Sequence, residues 1–546
     1  MNLLHTATLE IKSFEFAAEI PPYAILSHRW EDEEVTYQDM VPSRARGERM
    51  KGFAKIRFCA AVAKKQGFTW CWVDSCCIDK TNYPALSESI NSMYRWYQKS
   101  QVCYVYLSDV PSPTGKHKSF LSALMEKGSD SDSVLDLMEE YDEKNSDFKK
   151  WIEKFKGSRW FTRGWTLQEL IAPRTVEFYA QDMQLIGTKE SLVHYISEVT
   201  LIDIDIMSRP EPERLARIPV ACRMSWAAGR TTTKKEDMAY CLLGIFNVRM
   251  PLLYGEGEYA FIRLQREIIA DSDDKSIFLW RDPSASFSSI RSSLADSPVA
   301  FKDCSEVGKA IERDTFRMTN GGLKITLPLV ARPRYQREFI AILPGLTFPR
   351  WGEDHHGPFV CGIYLAEVKN NTFVRVDPDR IWTAKEKDAP ATISRGKIFI
   401  TSPIHAPLQS LNPARANALW LFNIARHKYR FMPEGHMDLV GKKPFISLGR
   451  RRAFAEPKKS ILRFESRSDK KQVCWAMDYS KLIRRLNHGF LRAHLNEVGE
   501  VFFVEGAHGQ RALELGRDDY TAWDIMVFLD YREGELFLQL RFGFGE

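Results

Sequence analysis

The chain has 546 residues, 44% of them apolar, with 14 Trp and 33 Phe. That is enough for two or three domains with substantial cores and too apolar for a disordered chain. The formal charge of +6 is small for this length and gives no electrostatic reason to expect nucleic-acid binding. No apolar run reaches the roughly 20 residues that span a bilayer. The ten cysteines contain no C-x-x-C pair, and most sit inside apolar runs, where Cys acts as a small hydrophobe. Met1 to Phe16 lacks the basic start and apolar centre of a secretory signal. A soluble, cytoplasmic protein in reducing surroundings is expected.

In chain order, Tyr23 to Leu26 reads as a short buried strand. Phe53, Ile56, Ala60 and Ala63 fall at helical spacing, with Lys64 and Lys65 in the last turn and Gly67 just beyond. Phe68 to Val73 is a second strand, Pro84 opens a helix with Leu86, Ile90, Met93 and Tyr97 as its apolar stripe, and Val102 to Leu107 is a third strand. Residues 111–158 interrupt the pattern as a charged insertion, partly helical over 134–141 and 148–155. Thr175 to Tyr179 is a fourth strand. Residues 201–280 read as mainly helical: Thr233 and Glu236 match a capping box, and Phe261, Leu264, Gln265 and Ile268 form a second stripe after a turn at Gly255 and Gly257. From about 281 the period changes to two, as in Leu323 to Leu327 and Lys397 to Thr401, and Asp530 to Phe542 reads as a hairpin, so a sandwich or barrel-like β domain is expected.

Strand–helix alternation over residues 22–200 predicts a parallel sheet with right-handed crossovers, whose ligands bind beyond the carboxyl ends of the strands. Polar residues stop each of those strands. Ser27 and His28 follow the first, Asp74 to Asp79 the second, and Ser108 and Asp109 the third, so they are expected to line one site. No G-x-x-x-x-G-K-[ST] loop, G-x-S-x-G elbow or H-E-x-x-H pair is present, and the twelve histidines show no metal-ligand spacing. The basic clusters at Arg44 to Lys51 and Gly449 to Arg452 lack interleaved aromatics and read as solvated surface.

Three motifs carry a family resemblance: Leu26-Ser27-His28-Arg29-Trp30, Trp72 to Asp79, and Arg163-Gly164-Trp165-Thr166-Leu167-Gln168-Glu169-Leu170. Together they resemble the HET domain, the heterokaryon incompatibility module of filamentous fungi, with Arg29-Trp30-Glu31 where that family often has Trp-Gly. HET domains in turn resemble TIR domains, whose fold is flavodoxin-like and many of which cleave NAD with a glutamate in a Trp-Cys-x-x-Glu-Leu stretch. The resemblance therefore implies a flavodoxin-like (TIR-like) α/β parallel-sheet domain over residues 1–200, a helical extension over 201–280 and a β-rich C-terminal domain over 281–546.

It also implies a role in non-self recognition and programmed cell death. NAD would be a consumed substrate, with no retained cofactor, and HET domains would self-associate and signal to an unidentified protein partner. Glu169 is the candidate catalytic residue, its alternative being an ion pair with Arg163 that only fixes the helix. Ser27 and His28 are candidates for ribose or phosphate, Asp74 and Asp79 for ribose hydroxyls, Arg163 for phosphate, and Trp30 and Trp165 for stacking on a base. A non-enzymatic scaffold that recruits partners through the same domain is the other reading.

Overall fold

A computed structural model describes residues 1–127, 138, 140–208, 211–285, 290–309, 315–332, 337–348, 359–369, 371–385 and 394–401, and the backbone of strands between 429 and 544. Its first sheet has seven strands in the order β2-β1-β4-β3-β5-β6-β7. These are β1 (Asn2–His5), β2 (Ile11–Ser13), β3 (Tyr23–His28), β4 (Trp70–Val73), β5 (Val102–Tyr106), β6 (Val176–Tyr179) and β7 (Leu185–Thr188). The four central strands are parallel, but β1, β2 and β7 join antiparallel at the two edges.

The expectation of a flavodoxin-like parallel sheet is therefore corrected: this sheet is mixed, and a second, closed sheet lies in the C-terminal region. The edge strands escaped the sequence pattern for a physical reason. Each is only three or four residues long, too short to show a period; β1 buries Leu3 and Leu4 and pairs with both β2 and β4, and β7 pairs with β6.

Local chemistry accounts for the elements around the sheet. The helix Phe53–Lys65 buries Phe53, Ile56, Phe58, Cys59, Ala60 and Ala63. It stops at Gly67, whose φ of +87° is cheap only for glycine. There the Phe68 N–H reaches back to the Ala63 carbonyl at 2.9 Å and caps the last turn. The helix Tyr83–Lys99 starts where the Asn82 side chain accepts from the Ala85 N–H at 3.2 Å, with Pro84 in its first turn. All six residues of β3 are buried, Ser27 and His28 included, because the strand is central and covered on both faces.

The region after residue 200 has short helices at Val220–Ser225 and Asp237–Tyr240 and a longer one at Tyr259–Asp271. The capping box expected at Thr233 and Glu236 does not form. Glu236 instead accepts the N–H groups of Gly255 and Gly257 at 2.7 and 3.0 Å, donors that converge because both glycines have positive φ. In the insertion, helices span Lys116–Lys127 and Ser146–Lys156; residues 129–137 and the side chains of the 449–452 cluster lie outside the described residues.

In the C-terminal region, strands Gly322–Ala331, Glu338–Phe348, Phe359–Lys369, Thr372–Val376 and Ser394–Ile400 close into a five-stranded barrel. The first strand pairs with both Glu338–Phe348 and Ser394–Ile400, and Thr372–Val376 joins Ser394–Ile400 in parallel. Leu323, Ile325, Leu327 and Leu329 alternate inward along the first strand, as a barrel wall requires. Arg375 is fully buried and donates to the carbonyls of Phe278 and Trp280 at 2.8 and 2.5 Å, tying the barrel to the segment before it. Strands Trp523–Arg532 and Glu535–Phe544 pair as the expected hairpin. No helix among the described residues is long and apolar enough to cross a membrane.

One continuous core joins residues of the seven-stranded sheet to those of the 201–280 segment. The two press together at Gly244, where a Cβ would lie 2.0 Å from Tyr94 Cβ on the helix Tyr83–Lys99. Gly244→Ala is expected to cost about 3 kcal/mol through overpacking. Gly229→Ala, whose Cβ meets nothing within 4 Å, is expected to be near neutral. Urea unfolding of both variants tests the contrast, and equal stabilities would show that this contact does not join the two segments.

Candidate functional site

The carboxyl ends of β3, β4 and β5 share one edge, with Leu26 opposite Val73 and Ser27 opposite Val105. Asp74 begins a short helix directly after β4. The helix Thr166–Ile171, all six residues buried, carries Glu169 to the same edge. Its entry is fixed by backbone and by a buried cation. The Gly164 N–H donates to the Thr231 carbonyl at 2.9 Å, and a Cβ at Gly164 would meet Thr232 Cγ2 at 2.5 Å and Cys241 Sγ at 3.1 Å. Arg230, 4% exposed, donates to the carbonyls of Trp226 and Arg163 and to Thr166 Oγ1 at 3.1, 3.0 and 2.9 Å.

Ser27 is wholly buried. The Trp160 indole N–H donates to its oxygen at 2.9 Å, and its own hydroxyl donates to Glu169 Oε2 at 2.5 Å. Because the indole can only donate, the serine hydrogen is left for the carboxyl. Glu169 is 6% exposed. Burial, and then the negative charge of Asp74, push its carboxyl up to about 8, against the pull of Ser27, Arg163 and Tyr97.

Beside this pair, Trp30 Nε1 donates to Asp74 Oδ2 at 2.7 Å. Lys80, an exposed side chain, sets its ammonium 3.1 Å from the Trp30 ring centroid. His28, 4% exposed, lies with Nδ1 3.7 Å from Asp74 Oδ1 and Nε2 3.5 Å from Glu34 Oε2. Neither imidazole nitrogen has a hydrogen-bond partner among the described residues, and neither does the buried Asp74 Oδ1. Burial pushes Glu34 upward, but His28 and Lys55 outweigh it and hold its carboxyl down at about 2.

Ser27, His28, Trp30, Asp74, Arg163 and Glu169 are thus brought together. Asp79 is not among them: its Oδ1 accepts from the Thr81 N–H at 3.0 Å and from Gln38 at 2.6 Å, in the turn before the helix Tyr83–Lys99. Trp165 faces the other way and donates to Asp237 Oδ2 at 3.3 Å, where Tyr254 donates to Oδ1 at 2.9 Å. Sequence reasoning missed Glu34, Lys55, Trp160 and Arg230. Glu34 lies in the run Glu31-Asp32-Glu33-Glu34, which reads as solvated surface, and only the spacing of Trp160 just before the Arg163 motif hints at its role. Among the described residues no cluster of three or more His, Cys, Asp or Glu side chains is arranged for a metal ion.

Residues 23–169 match the protein family described as "Heterokaryon incompatibility protein (HET)". Over 259 residues the chain is 42% identical to the vegetative incompatibility protein HET-E-1 of Podospora anserina. That stretch is 47% of this chain but 17% of the relative, so the chain spans under a fifth of that protein's length. No solved structure matches.

The Glu169 carboxyl titrates from an ordinary 4.5 to about 8 in the folded state. Its raised value means that the stability it contributes is full below the unfolded pKa and is lost as pH rises through the folded one. Relative to Glu169→Gln, the native protein should lose about 2–4 kcal/mol between about pH 5 and about pH 8, at roughly 1.4 kcal/mol per unit. Denaturant unfolding at both pH values measures it, and a difference that does not vary with pH would show that the acid is ionised throughout.

Proposed function

The chain carries a HET domain, and from that premise we propose that it acts in vegetative incompatibility, signalling cell death by hydrolysing NAD at the Glu169 site when HET domains self-associate. The observation that supports this most is the pairing of a buried carboxyl with unsatisfied polar atoms. Asp74 Oδ1 and both nitrogens of His28 lack hydrogen bonds beside Glu169, although buried polar groups are ordinarily paired. A ligand hydroxyl entering there would satisfy Asp74.

In this reaction the C–N bond to nicotinamide breaks, its electron pair leaves with the neutral base, and positive charge develops at the ribose carbon. A nearby carboxylate stabilises that charge. The cationic nicotinamide ribosyl group opposes the two causes that raise the Glu169 carboxyl, its burial and the charge of Asp74, so that the carboxyl releases its proton to solvent as the substrate binds. Water then bonds to the ribose carbon and yields its proton to the carboxylate. Asp74 holds ribose hydroxyls, and the Arg163 guanidinium takes phosphate through its planar fork. Trp30 offers a ring face to a base, with Lys80 already over that ring.

One observation favours a non-enzymatic scaffold instead: Glu169 is only 6% exposed and already bonded to Ser27, as a structural acid would be. Concentrated full-length protein incubated with NAD separates the two. Nicotinamide, followed chromatographically, should be released by the native chain and fall by about 100-fold or more in Glu169→Gln. Equal release from both removes Glu169 from the chemistry. No release from protein shown by light scattering to be assembled, with cell killing retained by Glu169→Ala, establishes the scaffold.

A further inference from the structure

Behind the site runs a buried row of charge that the motifs do not announce. Lys55, on the helix Phe53–Lys65, is 6% exposed. Its ammonium contacts Glu34 Oε1, lies 3.5 Å from Glu31 Oε2 and donates to the Arg29 carbonyl at 3.1 Å. Glu34 also accepts the Glu31 N–H at 2.9 Å, so its carboxylate is anchored from two sides. Its other oxygen faces His28 Nε2 at 3.5 Å, and His28 Nδ1 faces Asp74 Oδ1 at 3.7 Å. Asp74 in turn is anchored by the Trp30 indole at 2.7 Å.

An imidazole between two carboxylate oxygens is a demanding arrangement. A neutral ring has one N–H and one lone pair, so either tautomer sets a lone pair against an anion. Only the imidazolium is a donor on both sides. Charge counting points the same way. Lys55 offsets one of the two carboxylates, Glu34 and Asp74, and a second proton on His28 offsets the other, which matters because an uncompensated charge in the interior is costly. The other charged groups acting on the row are Glu31 beside Lys55, and, at the far end, Lys80 and Glu169, which act electrostatically on Asp74 or through it, with Arg163 beside Lys80.

We infer that Glu34 is a positioning residue of the site, which with Lys55 behind it holds His28 as a doubly protonated imidazolium against Asp74. The imidazolium sets a donor and a positive charge against Asp74 Oδ1, on the row that leads to Glu169. The protonation of His28 does not depend on which reaction the site performs. The consequence for turnover does rest on the hydrolase reading: the ring holds Asp74 in place for ribose hydroxyls, and loss of the Glu34 charge raises KM for NAD about 10-fold with a smaller change in kcat.

The test is the proton count on His28 in full-length protein carrying isotope-labelled histidine. Its ring signals are identified among those of the twelve histidines by their loss in His28→Asn. Nitrogen chemical shifts at about pH 7 distinguish the imidazolium from either neutral tautomer. The native chain should show protons on both nitrogens and Glu34→Gln a ring with one. A neutral ring in the native chain overturns the inference, as does an unchanged ring in Glu34→Gln. Should Glu34→Gln not fold, Asp74→Asn reads the row from its other end, where loss of one ring proton is again expected and an unchanged ring overturns the inference. Nicotinamide release from the same samples judges the hydrolase reading separately, since a doubly protonated ring without release removes the enzyme and leaves the row of charge intact.

Discussion

The hydrogen bond from Ser27 to Glu169 is the contact on which the rest of the site depends. A carboxyl so nearly sealed from water needs a partner or it must leave the interior. Ser27 is that partner, and it has a single hydrogen to give. The Trp160 indole decides where that hydrogen goes by filling the serine oxygen from the opposite side. Two parts of the chain far apart in sequence meet in this one line of atoms: the end of β3, and the stretch that runs from Trp160 into the helix Thr166–Ile171. The position of Glu169 is therefore a property of the core rather than of a surface loop.

The line of atoms is stable because the helix behind it cannot shift. Arg230 occupies the entrance of that helix from the 201–280 segment, and Gly164 lets the chain press against Thr232 and Cys241. The same segment presses Gly244 against Tyr94 on the helix Tyr83–Lys99. Residues after 200 thus complete the scaffold of the site, although none of the three motifs lies among them. Around the carboxyl, charge alternates along Lys55, Glu34, His28 and Asp74, with Lys55 donating to Glu34 and the Trp30 indole to Asp74.

Much of this was legible in the linear chain. The central strands and the helices Phe53–Lys65 and Tyr83–Lys99 follow from apolar period, Pro84 and Gly67, and the polar stops at Ser27, His28 and Asp74 do meet at one edge. The flavodoxin-like expectation failed because it extended the parallel order of the middle strands to the whole sheet. The short strands β1, β2 and β7 carry no period of their own, so their antiparallel edges were invisible until the pairing was seen. Asp79 and Trp165 show the limit of motif reasoning in another way. Each is a few residues from a site residue, yet Asp79 is spent on a turn and Trp165 points to Asp237, because neighbouring positions on a helix or turn face different directions.

The sequence by itself determined which residue types stand at the ends of strands and at the start of the Glu169 helix, and through these the family resemblance. Local period and turn chemistry depend on near neighbours only, and these are present in the linear order. The tertiary structure alone decided that Ser27 is saturated, that Glu169 is sealed with its carboxyl pushed up by burial, and that Glu34 rather than Asp79 stands beside His28. Burial and charge pairing are set by the distance between groups that the chain separates by as many as 142 positions, and no pattern along the chain encodes that distance.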